Sequence, residues 1–243
     1  MNREKLLAKL VERLQQAYGR SLLSVLLYGS AATSTDFHQR HSDLNILCVL
    51  RELTLEDLER AEPVANWWRA QGNPAPLLLA RAELEHSTDV FPVEFLDIHE
   101  QHRVLHGEDL VRTVRVDPVF HRVQVEHELR AKLLALRQRY LGIYRDRKAV
   151  LKLMVDALPS LTTLFRHALI LAGWQAVGMR EALQGAGQRF GFDPAPFLAI
   201  LDAREGKRKH RGIDVRSTFQ GYCAGLARVS EEVDKLEKRG GGA

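Results

Sequence analysis

The sequence predicts an α+β protein: a mixed sheet covered by helices over residues 1–117, an all-α helical bundle over 118–239, and a disordered tail at 240–243. Three observations carry this prediction. Short Val-, Ile- and Leu-rich runs recur until about residue 98 and then stop. Amphipathic helical patterns alternate with them, as expected of a sheet packed beneath helices. Beyond Asp117-Pro118 the long apolar patterns keep four-three spacing, the mark of helices that bury one face.

Residues 3–18 place Leu6, Leu7, Leu10, Val11 and Leu14 on one stripe, and Gly19 ends that helix. A strand follows at 23–28, then a polar loop from Ala31 to Ser42 with a short helix starting at Ser30. The next strand spans 43–50. Thr54-Leu-Glu-Asp57 reads as a capping box with Asp in place of the usual Glu or Gln. The helix it opens runs to about Gln71, and Pro63 is expected to kink it or split it. Gly72-Asn-Pro74 breaks the chain before a short strand at 76–80. Arg81 to Ser87 reads as one or two helical turns, and Phe91 to Ile98 as a strand with Glu94 and Asp97 on opposite faces.

In the second half, Phe120 to about Arg147 predicts a long helix. Shorter helices are expected at 149–157, 160–177, 180–190 and 194–203, punctuated by Pro159, Gly178, Gly191 and Pro194. Asp214 caps a last helix whose stripe is Val215, Phe219, Tyr222, Leu226, Val229, Val233 and Leu236.

Composition narrows the function classes. Hydrophobic residues make up 45% and charged residues 27%, ordinary values for a soluble domain. No run of about 18 apolar residues occurs, so no membrane partner is expected. Two cysteines make no disulfide framework, which fits a cytoplasmic location. The net charge of +4 is unevenly divided: residues 1–118 hold 13 Lys/Arg against 18 Asp/Glu, whereas 119–243 hold 22 against 13. An acidic half facing a basic half suits a divalent cation and a polyphosphate held between them.

The chemistry-bearing residues cluster around the first two strands. Gly29-Ser30 follows the strand at 23–28 and offers backbone N–H groups and a hydroxyl to an anion such as a phosphate. Asp43 and Asn45 lie two apart on the next strand and so share one face. They interrupt an apolar run, which costs free energy unless they face solvent or a site. His38 and His41 flank this stretch and could touch a phosphate, although solvated loop positions are the expectation.

Gly29-Ser30, the gap of 31 through 42 and Asp43-Leu-Asn45 together resemble the signature of the DNA polymerase beta-like nucleotidyltransferase superfamily. The whole chain, with its helical second half, is similar to the minimal and aminoglycoside-type branches. The resemblance implies transfer of a nucleoside monophosphate from a nucleoside triphosphate, with ATP expected, to an unidentified acceptor. It implies Mg2+ or Mn2+ held by Asp43, the residue at position 45 and Glu94, with Gly29 and Ser30 on the triphosphate. Glu94 is preferred to Asp97 on the order of elements after that strand. In such proteins the bundle helps enclose the acceptor and can donate a general base, for which Glu126, Glu128 and Asp156 remain open.

Asn45 departs from the pattern, since the superfamily has a second acidic residue there. Losing a unit charge ~4 Å from a divalent ion forfeits on the order of several kcal/mol at an effective dielectric near 20. Two readings therefore stand: a metal-dependent nucleotidyltransferase weakened at Asn45, or a catalytically inactive relative that binds a nucleotide or a protein. A third class, nucleic-acid binding, rests on the basic run Gly206-Lys-Arg-Lys-His-Arg-Gly212. The bundle could close over the site or mediate a homodimer.

Overall fold

A computed structural model describes residues 2–33, 43–176 and 178–240. The chain divides into two compact units, Met1–Asp117 and Pro118–Ala243.

In the first unit, α1 (Arg3–Tyr18) is capped by Asn2, whose side chain accepts from the Glu4 amide, and buries Leu7, Leu10, Leu14 and Tyr18. Then come β1 (Leu22–Tyr28), α2 (Ser30–Thr33), β2 (Asn45–Leu50), α3 (Leu55–Ala70) and β3 (Leu77–Ala80). The unit continues with α4 (Arg81–His86), α5 (Pro92–Glu100) and β4 (His102–Gly107). The four strands form one mixed sheet in the order β3-β2-β1-β4. β1 runs antiparallel to β2 and β4, and β2 runs parallel to β3.

Alternation along the strands splits the core into two layers. Val25, Leu27, Ile46, Cys48 and Leu50 pack with α1 and α3, where Leu10 and Trp68 have no exposed surface. Leu26, Leu47 and Val49 face the other way, onto Leu84 of α4 and Phe95 and Ile98 of α5. Burying one such large apolar side chain is worth about 1.5–3 kcal/mol, so both layers hold the sheet in place. The capping box at Thr54 and Asp57 forms with Asp in the third position: Asp57 N donates to Thr54 Oγ1 at 3.3 Å and Thr54 N to Asp57 Oδ2 at 3.0 Å.

Several expectations need correction. Phe91 to Ile98 is not a strand but helix α5, and the fourth strand is His102–Gly107. Pro92 occupies the first helical turn, where its missing N–H costs nothing, and Pro92, Phe95 and Ile98 recur at helical spacing on the buried face. β2 begins at Asn45, so Asp43 and Leu44 precede the strand instead of opening it. Pro63 does not split α3, which is assigned as one helix from Leu55 to Ala70. Pro63 is exposed, so the carbonyl it leaves unpaired can turn to water.

The second unit consists of α6 (Pro118–Ile143), α7 (Arg147–Leu171), α8 (Met179–Phe190), α9 (Ala195–Arg204) and α10 (Val215–Gly240). The helices expected at 149–157 and 160–177 are one element, α7, running through Pro159. Twelve of its residues are buried, and that packing outweighs one missing backbone bond. Phe165, Phe197 and Tyr222 have no exposed surface and knit α7, α9 and α10 together. Phe197 stacks on Tyr222 at 4.2 Å, and the Tyr222 hydroxyl donates to the Met154 carbonyl at 3.2 Å. Gly240 closes α10, and the rest of the expected tail lies outside the described residues.

Burial pushes the Cys48 thiol up from 9.0 to about 12. Its folded value is raised, so its contribution is complete below about pH 9 and is lost as pH rises toward 12. Stability in urea is therefore expected to fall by about 1.4 kcal/mol per pH unit from this group between pH 9 and 11. Cys48→Val should flatten that slope, while an unchanged slope would count against the buried neutral thiol.

Candidate functional site at the open end of the sheet

One end of the sheet gathers the polar residues. Here β1 terminates and β2, β3 and β4 begin, with Tyr28 opposite both Asn45 and His102. Asn45 shares the face of Leu47 and Val49, the side covered by α4 and α5.

Gly29 leaves β1 with φ +78°, a left-handed conformation that favours glycine. Its amide donates to the Gln101 carbonyl at 2.9 Å, which ties the turn to the chain entering β4. Its carbonyl accepts from the Ala32 amide at 2.8 Å as α2 starts. Ser30 is the exposed first residue of α2. A Cβ at position 29 would lie 3.6 Å from Asn45 Nδ2, so the turn and the amide of Asn45 are neighbours. The structure thus brings Gly29 and Asn45 together at the strand end, with Asp43 exposed two residues before Asn45.

Glu94 does not follow the strand logic that selected it. It lies in the first turn of α5 and is exposed, whereas Phe95 and Ile98 of that helix face the sheet. Asp97 is half-buried on the same helix. His38 and His41, with the loop from residue 34 to 42, lie outside the described residues.

Residues not anticipated complete the surroundings. Asn73 Oδ1 accepts from the Leu44 amide at 3.2 Å, which joins the approach to β2 with the approach to β3. Asn73 Nδ2 is buried without a hydrogen-bond partner among the described residues. The segment leading into β3 is Asn73-Pro-Ala-Pro76, so no carboxylate enters from that side. On the other flank, His102 Nε2 lies 3.0 Å from Asp109 Oδ1 and its Nδ1 2.9 Å from the Ile98 carbonyl oxygen. Arg112 Nε holds the second Asp109 oxygen at 3.1 Å. That carboxylate is committed to His102 and Arg112. The breaker Gly72-Asn-Pro74 marked a turn, but nothing in its pattern announced that Asn73 would meet Leu44.

Two Mg2+ ions need about three carboxylates plus substrate oxygens. The strand end offers, among the described residues, the Asp43 carboxylate and the neutral Asn45 amide, with Glu94 on a helix. Among the described residues no group of three or more His, Cys, Asp or Glu side chains is placed to hold a metal ion. Among the described residues, the donors at the strand end fall short of a two-ion site.

A crystal structure of spectinomycin adenyltransferase AAD(9) from Enterococcus faecialis, with ATP and spectinomycin, matches this architecture with a TM-score of 0.61. The match covers 92% of this chain and 99% of that one at 12% identity. The two proteins share a fold. A mutant of the toxin-antitoxin pair MntA-HpeT aligns at 18% identity over 57% of this chain and 96% of that one, with a TM-score of 0.29, too slight a likeness to build on. No protein-family model and no curated protein matches the chain. In this fold the Gly29 turn sits at the polar end of the sheet, where the Asn45 amide stands opposite Tyr28.

Gly29→Ala isolates the turn. The new Cβ finds ordinary contact distance to Asn45, so its cost is backbone strain, about 1–2 kcal/mol. A drop of that size in urea denaturation is expected, and an unchanged midpoint would mean that the turn does not need glycine.

Proposed function

We propose that this chain is a nucleotide-binding protein of the nucleotidyltransferase fold whose two-ion transfer chemistry is lost or severely weakened. A nucleoside triphosphate, ATP first, lies at the Gly29-Ser30 turn, with Asp43 and Asn45 beside it and at most the Mg2+ that the triphosphate carries in. The observation behind this reading is the strand end itself: among the described residues it carries one carboxylate, Asp43, where the resemblance implies three, with Asn45 at the second position and Glu94 on α5. ATP bound to AAD(9) supports the choice of nucleotide. The acceptor of that enzyme is not carried over: residues 119–243 hold 22 Lys/Arg against 13 Asp/Glu, an excess that repels a cationic acceptor.

A second reading, an active nucleotidyltransferase acting in the cytoplasm, is favoured by the retention of Gly29, Ser30 and Asp43 and by similarity across both units of the chain. Asn45→Asp separates the two. Restoring the carboxylate is expected to raise nucleotidyl transfer from labelled ATP at least tenfold, whereas wild-type transfer already at the level of the variant would establish the second reading.

Binding is tested by calorimetric titration of ATP with and without Mg2+ into wild type and Asp43→Ala. Metal-dependent binding that Asp43→Ala weakens tenfold or more is the expected result. Equal binding by the two proteins would move the nucleotide away from this strand end.

A further inference from the structure

The second unit holds a cavity of its own, about 680 Å³, between the end of α6, the start of α7 and the start of α10. Its volume falls within the range of about 300–1,000 Å³ typical of small-molecule sites. Three guanidinium groups line it, from Arg145, Arg147 and Arg216, against the single carboxylate of Asp214. Asp214 is committed as the cap of α10, where its Oδ1 accepts from the Arg216 and Ser217 amides at 3.1 and 3.3 Å.

The three arginines have different tasks. Arg147 Nη2 donates to the Ile213 carbonyl at 2.9 Å and lashes the start of α7 to the segment entering α10. Arg145 Nε donates to the Tyr144 hydroxyl at 2.8 Å, with its guanidinium 5.3 Å from the centre of that ring. Among the described residues, the terminal nitrogens of Arg145 and the whole guanidinium of Arg216 have no protein acceptor. Two planar forks on one cavity suit an anion with several oxygens, which each can grip through paired bonds.

The rest of the wall is apolar or aromatic. Val150 and Ile213 are buried, and the Tyr140 ring is held from behind by Phe219, stacked at 4.1 Å and 9°. Such a wall leaves room for a planar ring beside the anion. The segment that runs into the cavity is the basic stretch Gly206–Gly212, where Lys209 and Arg211 are exposed and Arg208 Nη2 donates to the Gly212 carbonyl at 3.0 Å.

We propose that this cavity binds a nucleotide phosphate, the phosphate on Arg145 and Arg216 and the base against the Tyr140 wall, either free or as the terminal residue of an RNA strand. In the second case the basic stretch at 206–212 takes the phosphates that follow. The site is built wholly within the second unit and does not depend on the reading of the strand end.

The test titrates AMP and a 5′-phosphorylated RNA hexamer into the full chain carrying Asp43→Ala, so that nucleotide bound at the strand end does not mask the result. The same titrations into Asp43→Ala with Arg145→Gln and Arg216→Gln complete the set, with circular dichroism to show that every variant keeps its helices. Loss of tenfold or more in affinity on removing the two guanidinium groups is expected. AMP bound as tightly as the hexamer identifies the free nucleotide as the ligand. A hexamer bound at least tenfold more tightly, with affinity falling steeply with salt, identifies the terminal residue of an RNA strand as the ligand. Absence of binding at low salt, or affinity unchanged by the two arginine substitutions, overturns the proposal.

Discussion

The antiparallel pairing of β1 with β2 is the constraint on which the first unit depends. Its register sets Leu27 against Ile46, Val25 against Cys48 and Tyr28 against Asn45. A slip of one residue would turn Ile46, Cys48 and Leu50 away from α1 and α3 and drive Asn45 into that apolar layer. The same register decides where the pairing ends, and there the chain places its turn glycine, its amide and the approach to its carboxylate. Core and candidate site are therefore two consequences of one alignment of strands.

Much of that alignment was legible in the residues. The runs at 23–28, 43–50 and 76–80 are short, apolar and bounded by turn formers, and all three contain strands of the sheet. The helix at 3–18 was legible because its leucines repeat at three and four, and its bounds in the structure are the same. Phe91 to Ile98 misled because the segment satisfies two periods at once. Phe91, Val93 and Phe95 alternate like a strand, while Pro92, Phe95 and Ile98 recur like a helix, and Pro92 favours the helix. β4 was hidden because it is an edge strand of half-buried residues with His102, Arg103 and His106 among them. Pro63 and Pro159 read as breakers, yet local rules yield where a long helix is exposed at the proline or buried along most of its length.

The candidate site divides in the same way. Gly29, Asp43 and Asn45 were legible because they punctuate apolar strands, and the structure makes Gly29 and Asn45 neighbours. Asn73 and the His102–Asp109 pair were not, since their roles come from where neighbouring strands begin. The choice of Glu94 rested on a strand, and the segment is a helix, in whose first turn Glu94 is exposed. In the second unit the basic stretch at 206–212 was visible in the sequence, but the cavity beside it depends on how α6, α7 and α10 converge.

The central proposal is that the Gly29-Ser30 turn takes a nucleotide at a strand end without the charge to hold a second divalent ion. Electron paramagnetic resonance of Mn2+ titrated into the protein at saturating ATP measures this directly. The account predicts that wild type binds no tightly held Mn2+ beyond the ion that ATP carries, and that Asn45→Asp tightens a second ion by tenfold or more. A pair of spin-coupled Mn2+ ions in the wild-type complex would contradict it.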